Sequence, residues 1–174
     1  MSKIYLDYNA TAPLLPEAKQ AMTAALELVG NPSSIHGFGR EARKQIEQAR
    51  RAIADAVRCD PTHLTFTSGA TESNNWVLQR APVTRILVSA IEHPSVYDLC
   101  ENRIAVTHDG VVDITALEKL LQQSDAPTLV SVMWVNNETG VIQPIAEISA
   151  LCKKYNALLH TDAVQALGKI PVDF

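Results

Sequence analysis

Apolar positions along the chain follow two alternating periods, one helical and one extended. Ala18, Met22, Ala25, Leu26 and Val29 recur at helical spacing, between Pro16, suited to a first turn, and Gly30, suited to the residue after the last. Ala42, Ile46, Ala49, Ile53 and Val57 repeat the pattern over 40–57, with charges on the opposite face. GNPSSIHGFG (30–39) reads as the loop between these helices. From there the rhythm shortens. HLTFT (63–67), RILVS (85–89), IAVT (104–107), LVSVMWV (129–135) and ALLHT (157–161) are β-prone runs. The segments between them are helix-compatible: ATESNNWVLQR (70–80), a stretch opened by Pro94, one capped by Asp113, and one opened by Pro144.

Strands alternating with helices predict βαβ units and a mostly parallel sheet, hence a three-layer α/β/α architecture. The nearly unbroken apolar run of 129–135 suits a strand covered on both faces. Composition leaves this picture unchanged and narrows the function classes. The 174 residues are 47% hydrophobic and 20% charged, with a formal charge of -4, which gives no electrostatic footprint for nucleic acid. No run approaches the roughly 18 apolar residues that cross a membrane, and the N-terminus lacks a signal-peptide core, so the expectation is a cytoplasmic protein. Cys59, Cys100 and Cys152 are too far apart for a metal knuckle and read as small core residues in a reducing compartment.

In open α/β sheets ligands bind beyond the carboxyl ends of the strands, so the residues that follow each strand carry the chemistry. They are Ser68-Gly69-Ala70-Thr71 entering a helix, Glu92-His93, then Asn136-Asn137-Glu138, and Asp162 with Gln165. A small-residue turn at a helix start leaves N–H groups for an anion, although an ordinary N-cap looks the same. His93 before Pro94 suits a helix cap or a core histidine as well as a site residue. Asn136 and Asn137 suit a turn equally well. Asp162, beyond an apolar strand, needs a cation, a metal or several donors. His160 shares its face but no third ligand is apparent, so no metal site is expected.

Taken together, YLDYNATAP, GNPSSIHGFGREAR, FTSGATESNN, EHPSV, VNNETGVIQPI and HTDAVQALGKIPVDF stand in the order found in cysteine desulfurases. The chain therefore resembles that class V aminotransferase branch of fold type I pyridoxal 5'-phosphate (PLP) enzymes, over essentially its whole length. The resemblance implies that Ala70 and Thr71 hold the PLP phosphate, and that His93 stacks on the pyridine ring and serves as a catalytic acid/base. It further implies that Asp162 pairs with the pyridine nitrogen and that Gln165 bonds the phenolate oxygen. Asn137 would lie near that oxygen and the substrate carboxylate. Asn9 and His36 belong to matching motifs without an assigned role.

The implied reaction removes sulfur from L-cysteine to give alanine and an enzyme persulfide, for iron–sulfur cluster assembly or other sulfur delivery to an acceptor protein. The family places its Schiff-base lysine about a dozen residues beyond the equivalent of VDF. The expectation is thus a fragment, an N-terminal part of the large domain that is incomplete alone. The lysine and the persulfide-forming cysteine would then come from a missing segment or a second polypeptide, within a dimer. Residues 1–14 are expected to pack with the small domain, and 15–174 to form the N-terminal portion of the PLP-binding large domain. The alternatives are a non-catalytic PLP-binding or scaffold half-protein, or another class V reaction such as selenocysteine lyase.

Overall fold

The computed structural model describes residues 4–172, which cluster into two compact units, 4–66 with 172, and 67–171. The first unit is helical. Pro16 opens helix α1 (Pro16–Leu26), and α2 spans Gly37–Val57, with His36 at its N-cap accepting from the Gly39 amide at 3.3 Å. The helix stops at Arg58 in the left-handed region. Between the helices the loop folds back so closely that two glycines are required. A Cβ on Gly39 would lie 2.7 Å from the Asn31 carbonyl oxygen and closer still to that of Ser34, and one on Gly30 would collide with the Phe38 carbonyl. The apolar stripe of α1 stays open, with Met22 59% and Leu26 83% exposed.

One predicted strand is not formed. Pro61 starts a 3-10 turn, Pro61–His63, capped by the Asp60 carboxylate on the Thr62 amide at 2.7 Å. Residues 64–67 then run without a ladder partner among the described residues, and the Leu64 carbonyl is taken by the Arg50 guanidinium. The β-prone composition of 63–67 lacks a neighbouring strand to pair with, and a turn signal lies at its start.

The second unit carries the predicted α/β arrangement. It comprises α3 (Ala70–Arg80), β1 (Arg85–Ser89), α4 (Pro94–Tyr97), β2 (Arg103–Ile104), α5 (Ile114–Gln122), β3 (Thr128–Ser131), α6 (Ile145–Lys154) and β4 (Leu158–His160). The four strands are parallel, in the order β2-β1-β3-β4. Leu87 and Val130 face one side with Ile104, packed against Leu117 and Leu121 of α5 and Ile148, Leu151 and Cys152 of α6. Val88 and Leu129 face the other side, against Leu78 of α3 and Val96 of α4. Helices thus cover both faces, giving the expected three layers. Cys152 is a core residue, and burial pushes its thiol up to about 11. Among the described residues no helix is long and apolar enough to cross a membrane.

The strands are shorter than the apolar runs suggest because the chain bends before those runs end. Beyond Ile104, Val106 bridges Val112 across a turn at Gly110, whose φ of 76° suits glycine. Beyond Ser131 the ladder continues as single bonds, Val132 to the His160 carbonyl at 3.1 Å and Trp134 to that of Asp162 at 2.9 Å. Buried Gln143 ties the two turns together: its Oε1 accepts from Val112 N at 2.8 Å and its Nε2 donates to the Gly110 carbonyl at 2.9 Å.

Strand order reverses between β1 and β3, since the chain leaves β1 toward β2 and leaves β3 toward β4. Buried Glu92 spans this point. Its Oε1 accepts from Ser89 Oγ at 2.5 Å and from the Met133 amide at 2.7 Å, while Oε2 has no hydrogen-bond partner. Burial pushes the carboxyl up to about 7, against the pull of the Ser89 and Met133 bonds and with a further rise from the charge of Asp162.

Two predictions follow from the packing. Gly39→Ala forces backbone to move and should lower the unfolding free energy by roughly 1–3 kcal/mol, read as a lower urea midpoint, with an unchanged midpoint contradicting the close approach. For Glu92, the folded chain retains between pH 4.5 and about 7 a proton that the unfolded chain has lost, so stability falls as pH rises through that window. The loss is at most about 1.4 kcal/mol per pH unit. Urea midpoints of the wild type should drop between pH 4.5 and 8 more than those of Glu92→Gln, and parallel pH profiles would rule this out.

Candidate functional site

Every site residue named from the sequence lies in the second unit, on segments that follow strands or open helices. Ala70 and Thr71 are the first two residues of α3, behind Gly69 at the N-cap. Glu72 closes this turn from within, accepting from the Ser68 amide at 2.7 Å and the Ser68 hydroxyl at 2.5 Å. These bonds hold the exposed Glu72 carboxyl below its ordinary range. Thr67 Oγ1 and Ser73 Oγ lie 2.8 Å apart and brace the same turn. The helix start thus carries both the small-residue opening and a capping carboxylate.

His93 follows β1 and caps α4, its Nδ1 accepting from the Ser95 amide at 3.1 Å. The capping role allowed by the sequence is therefore real, and the ring remains exposed. Asp162 follows β4 and is half-buried. Its Oδ1 accepts from the Val164 amide at 3.0 Å and its Oδ2 from Asn74 Nδ2 at 2.8 Å. Asn74, on α3 and only 3% exposed, also donates to Ser95 Oγ at 3.0 Å, and Ser95 Oγ lies 2.8 Å from His93 Nδ1. A continuous chain of side chains therefore joins Asp162 to His93 across α3 and α4.

Asn136 and Asn137 divide their roles. Asn136 is buried, and its Nδ2 donates to the Ile91 carbonyl at 2.9 Å. Its Oδ1 accepts from Glu138 N, Thr139 N and Thr139 Oγ1 at 3.1, 2.8 and 2.9 Å. Its amide is spent on tying the loop after β3 to the loop after β1. Asn137, half-buried, donates to Glu138 Oε1 at 2.8 Å. Gln165 lies in the turn after Asp162, where its Oε1 accepts from Lys169 Nζ. Thr71, Asn137 and Gln165 share with the Asp162–His93 chain a place toward the carboxyl edge of the sheet.

His160, on β4, has its Nδ1 2.9 Å from Ser131 Oγ, and burial lowers its pKa against the opposing charge of Asp162. Asn9 and His36 belong to the first unit, where His36 caps α2. Sequence reasoning placed Glu92 at a strand end without giving it a role, and it assigned none to Asn74 or Ser95. A polar Asn on the inward face of a helix and a hydroxyl two residues after a histidine were the available signals.

With this geometry in place, the comparisons with known proteins are specific. The class-V aminotransferase family profile matches residues 4–174. An IscS-like cysteine desulfurase of Mycobacterium tuberculosis is 42% identical over 98% of this chain and 48% of its own length. The structure of a NifS-like protein from Rickettsia africae superposes with a TM-score of 0.91 at 41% identity, covering 98% of this chain and 50% of that one. A structure described as SspA in complex with cysteine superposes with a TM-score of 0.87 at 30% identity, covering 97% and 53%. The chain thus spans about half the length of the relatives it matches. An α/β sheet with its polar side chains gathered at the carboxyl edge, and a family match running from residue 4 to 174, place this chain in the class-V aminotransferase family, among homologues of the cysteine desulfurases.

Proposed function

We propose that this chain forms the N-terminal portion of the PLP-binding half of a cysteine desulfurase acting on L-cysteine. The observation that carries the reading is the half-buried Asp162 carboxylate at the end of β4, held by Asn74 and linked through Ser95 to the exposed ring of His93. A carboxylate fixed by two donors at a sheet edge is the group that a protonated pyridine nitrogen requires. The donor set around it fits the rest of PLP. The opening of α3 offers backbone N–H groups and the Thr71 hydroxyl to a phosphate, with Ala70 keeping the approach clear. Glu72 gives up no part of this role, since its carboxylate already has two donors from Ser68.

When bound, PLP supplies an electron sink for cleavage of the substrate C–S bond. The chain's own residues bind and orient. Asp162 would pair with the ring nitrogen, Gln165 and Asn137 would offer amides to the phenolate oxygen, and Asn137 would also bind the substrate carboxylate. His93 would stack on the ring and handle a proton at its imidazole. In this reading the Schiff-base lysine and the persulfide-forming cysteine come from a segment outside this chain, within a dimeric assembly that passes sulfur to an acceptor protein in the cytoplasm. Residues 1–14 pack with the small domain and 15–174 belong to the large one. The open apolar side chains of Leu6, Met22, Leu26 and Val29, each more than half exposed, support burial of the first unit in such an assembly.

Two substitutions test the cofactor site in the assembled protein. Asp162→Ala should abolish tight PLP binding, measured as cofactor content by absorbance after desalting; unchanged content would sink the pyridine contact. Thr71→Val should weaken PLP binding by ~1–3 kcal/mol, the worth of a hydrogen bond to a charged group, with equal affinity in the two proteins counting against the phosphate site.

A further inference from the structure

We infer that Ser95 is a positioning residue that fixes the tautomer of His93, so that the neutral ring carries its hydrogen on Nε2 and presents a donor, not a base, at the exposed nitrogen. This rests on the reading of His93 as part of the PLP site and deepens it. The chain of hydrogen bonds starts at Asp162. A carboxylate only accepts hydrogen bonds, so the end of the Asn74 amide that faces Oδ2 at 2.8 Å must be the nitrogen. That same nitrogen lies 3.0 Å from Ser95 Oγ, which therefore accepts from it. With one lone pair of Oγ engaged, the Ser95 hydroxyl hydrogen is available to the other neighbour of Oγ, His93 Nδ1 at 2.8 Å.

The backbone decides the direction of that bond. The Ser95 N–H can only donate, and it points at His93 Nδ1 from 3.1 Å. A hydrogen on Nδ1 would meet this N–H head-on and leave it without an acceptor at the start of α4. The one lone pair of Nδ1 is thus shared between the amide and the hydroxyl of Ser95, and the ring hydrogen belongs to Nε2. The donors run in one direction, Asn74 toward Asp162 and Ser95, and Ser95 toward His93. For His93 to take a proton at Nε2, the ring must first exchange tautomers and break both Ser95 bonds. In its neutral form the ring gives a hydrogen bond at the exposed nitrogen.

The test is nitrogen-15 NMR of His93 in the protein freed of cofactor, at a pH well above imidazole titration, with the signals assigned by their loss in His93→Gln. The wild type should show the Nε2–H tautomer. Ser95→Thr keeps the hydroxyl and should keep the wild-type tautomer ratio. Ser95→Ala removes one of the two donors and should shift the ratio toward Nδ1–H by about fivefold, the worth of one neutral hydrogen bond. An Nδ1–H ring in the wild type overturns the inference, as does an unchanged ratio in Ser95→Ala. Cofactor content in Asp162→Ala is read separately, so failure of the PLP site and failure of the tautomer lock give different results.

Discussion

Asp162 leaves β4 with a negative charge in a half-buried position, and its two oxygens are met from different elements, by the amide of Val164 and by Asn74 of α3. The position of that carboxylate constrains its surroundings. Asn74 sits at 3% exposure within a helix, where an amide is a poor helix former and costly to bury unpaired; the acceptors at Asp162 and Ser95 offset that cost. Ser95 in turn is fixed between Asn74 and His93, and His93 ends β1's following loop by capping α4. One charge at a strand end thereby sets the orientation of side chains on two helices.

The second carboxyl in the region is treated in the opposite way. Glu92 is buried at the point where strand order reverses, and burial pushes it up to about 7. Its Oε1 accepts two hydrogen bonds while Oε2 has no partner. A second charge at Glu92 would oppose that of Asp162, so holding a proton there relieves repulsion as well as desolvation. Glu92 links Ser89 at the end of β1 to Met133 just past β3.

Much of this was legible in the sequence because it depends on local pattern. The alternation of helix and strand periods gave the parallel α/β sheet, and the caps at Asp113 and Pro144 were placed correctly. The failure at 63–67 is informative: β propensity describes a surface suited to pairing, and pairing needs a neighbour that local sequence does not supply. The overlong strands have a related cause, since apolar runs continue through Val106 and Val135 into antiparallel bridges after the parallel ladder has ended. The segments after β1, β3 and β4 were found because a sheet of this kind gathers its polar groups at one edge, whereas Ser68–Thr71 follows no strand. The bond from Asn74 to Asp162 was not, because it joins residues 88 apart in sequence and exists only once β4 lies beside β3.

The two asparagines show how neighbouring positions of one type diverge. A turn reading was open to both. Asn136 takes that role so completely that its amide nitrogen and its oxygen are occupied, and the oxygen alone accepts three hydrogen bonds. By donating to the Ile91 carbonyl it also holds the loop after β3 against the loop carrying Glu92 and His93. Asn137 is thereby carried on a backbone fixed from both sides, with its own side chain at the half-buried surface. The same division separates Glu92 from His93. In each adjacent pair the first residue is buried and engaged by the scaffold, and the second is displayed. A displayed side chain keeps a defined place only when its backbone is held, so the buried member of each pair is the reason the exposed one can meet a ligand in a fixed position.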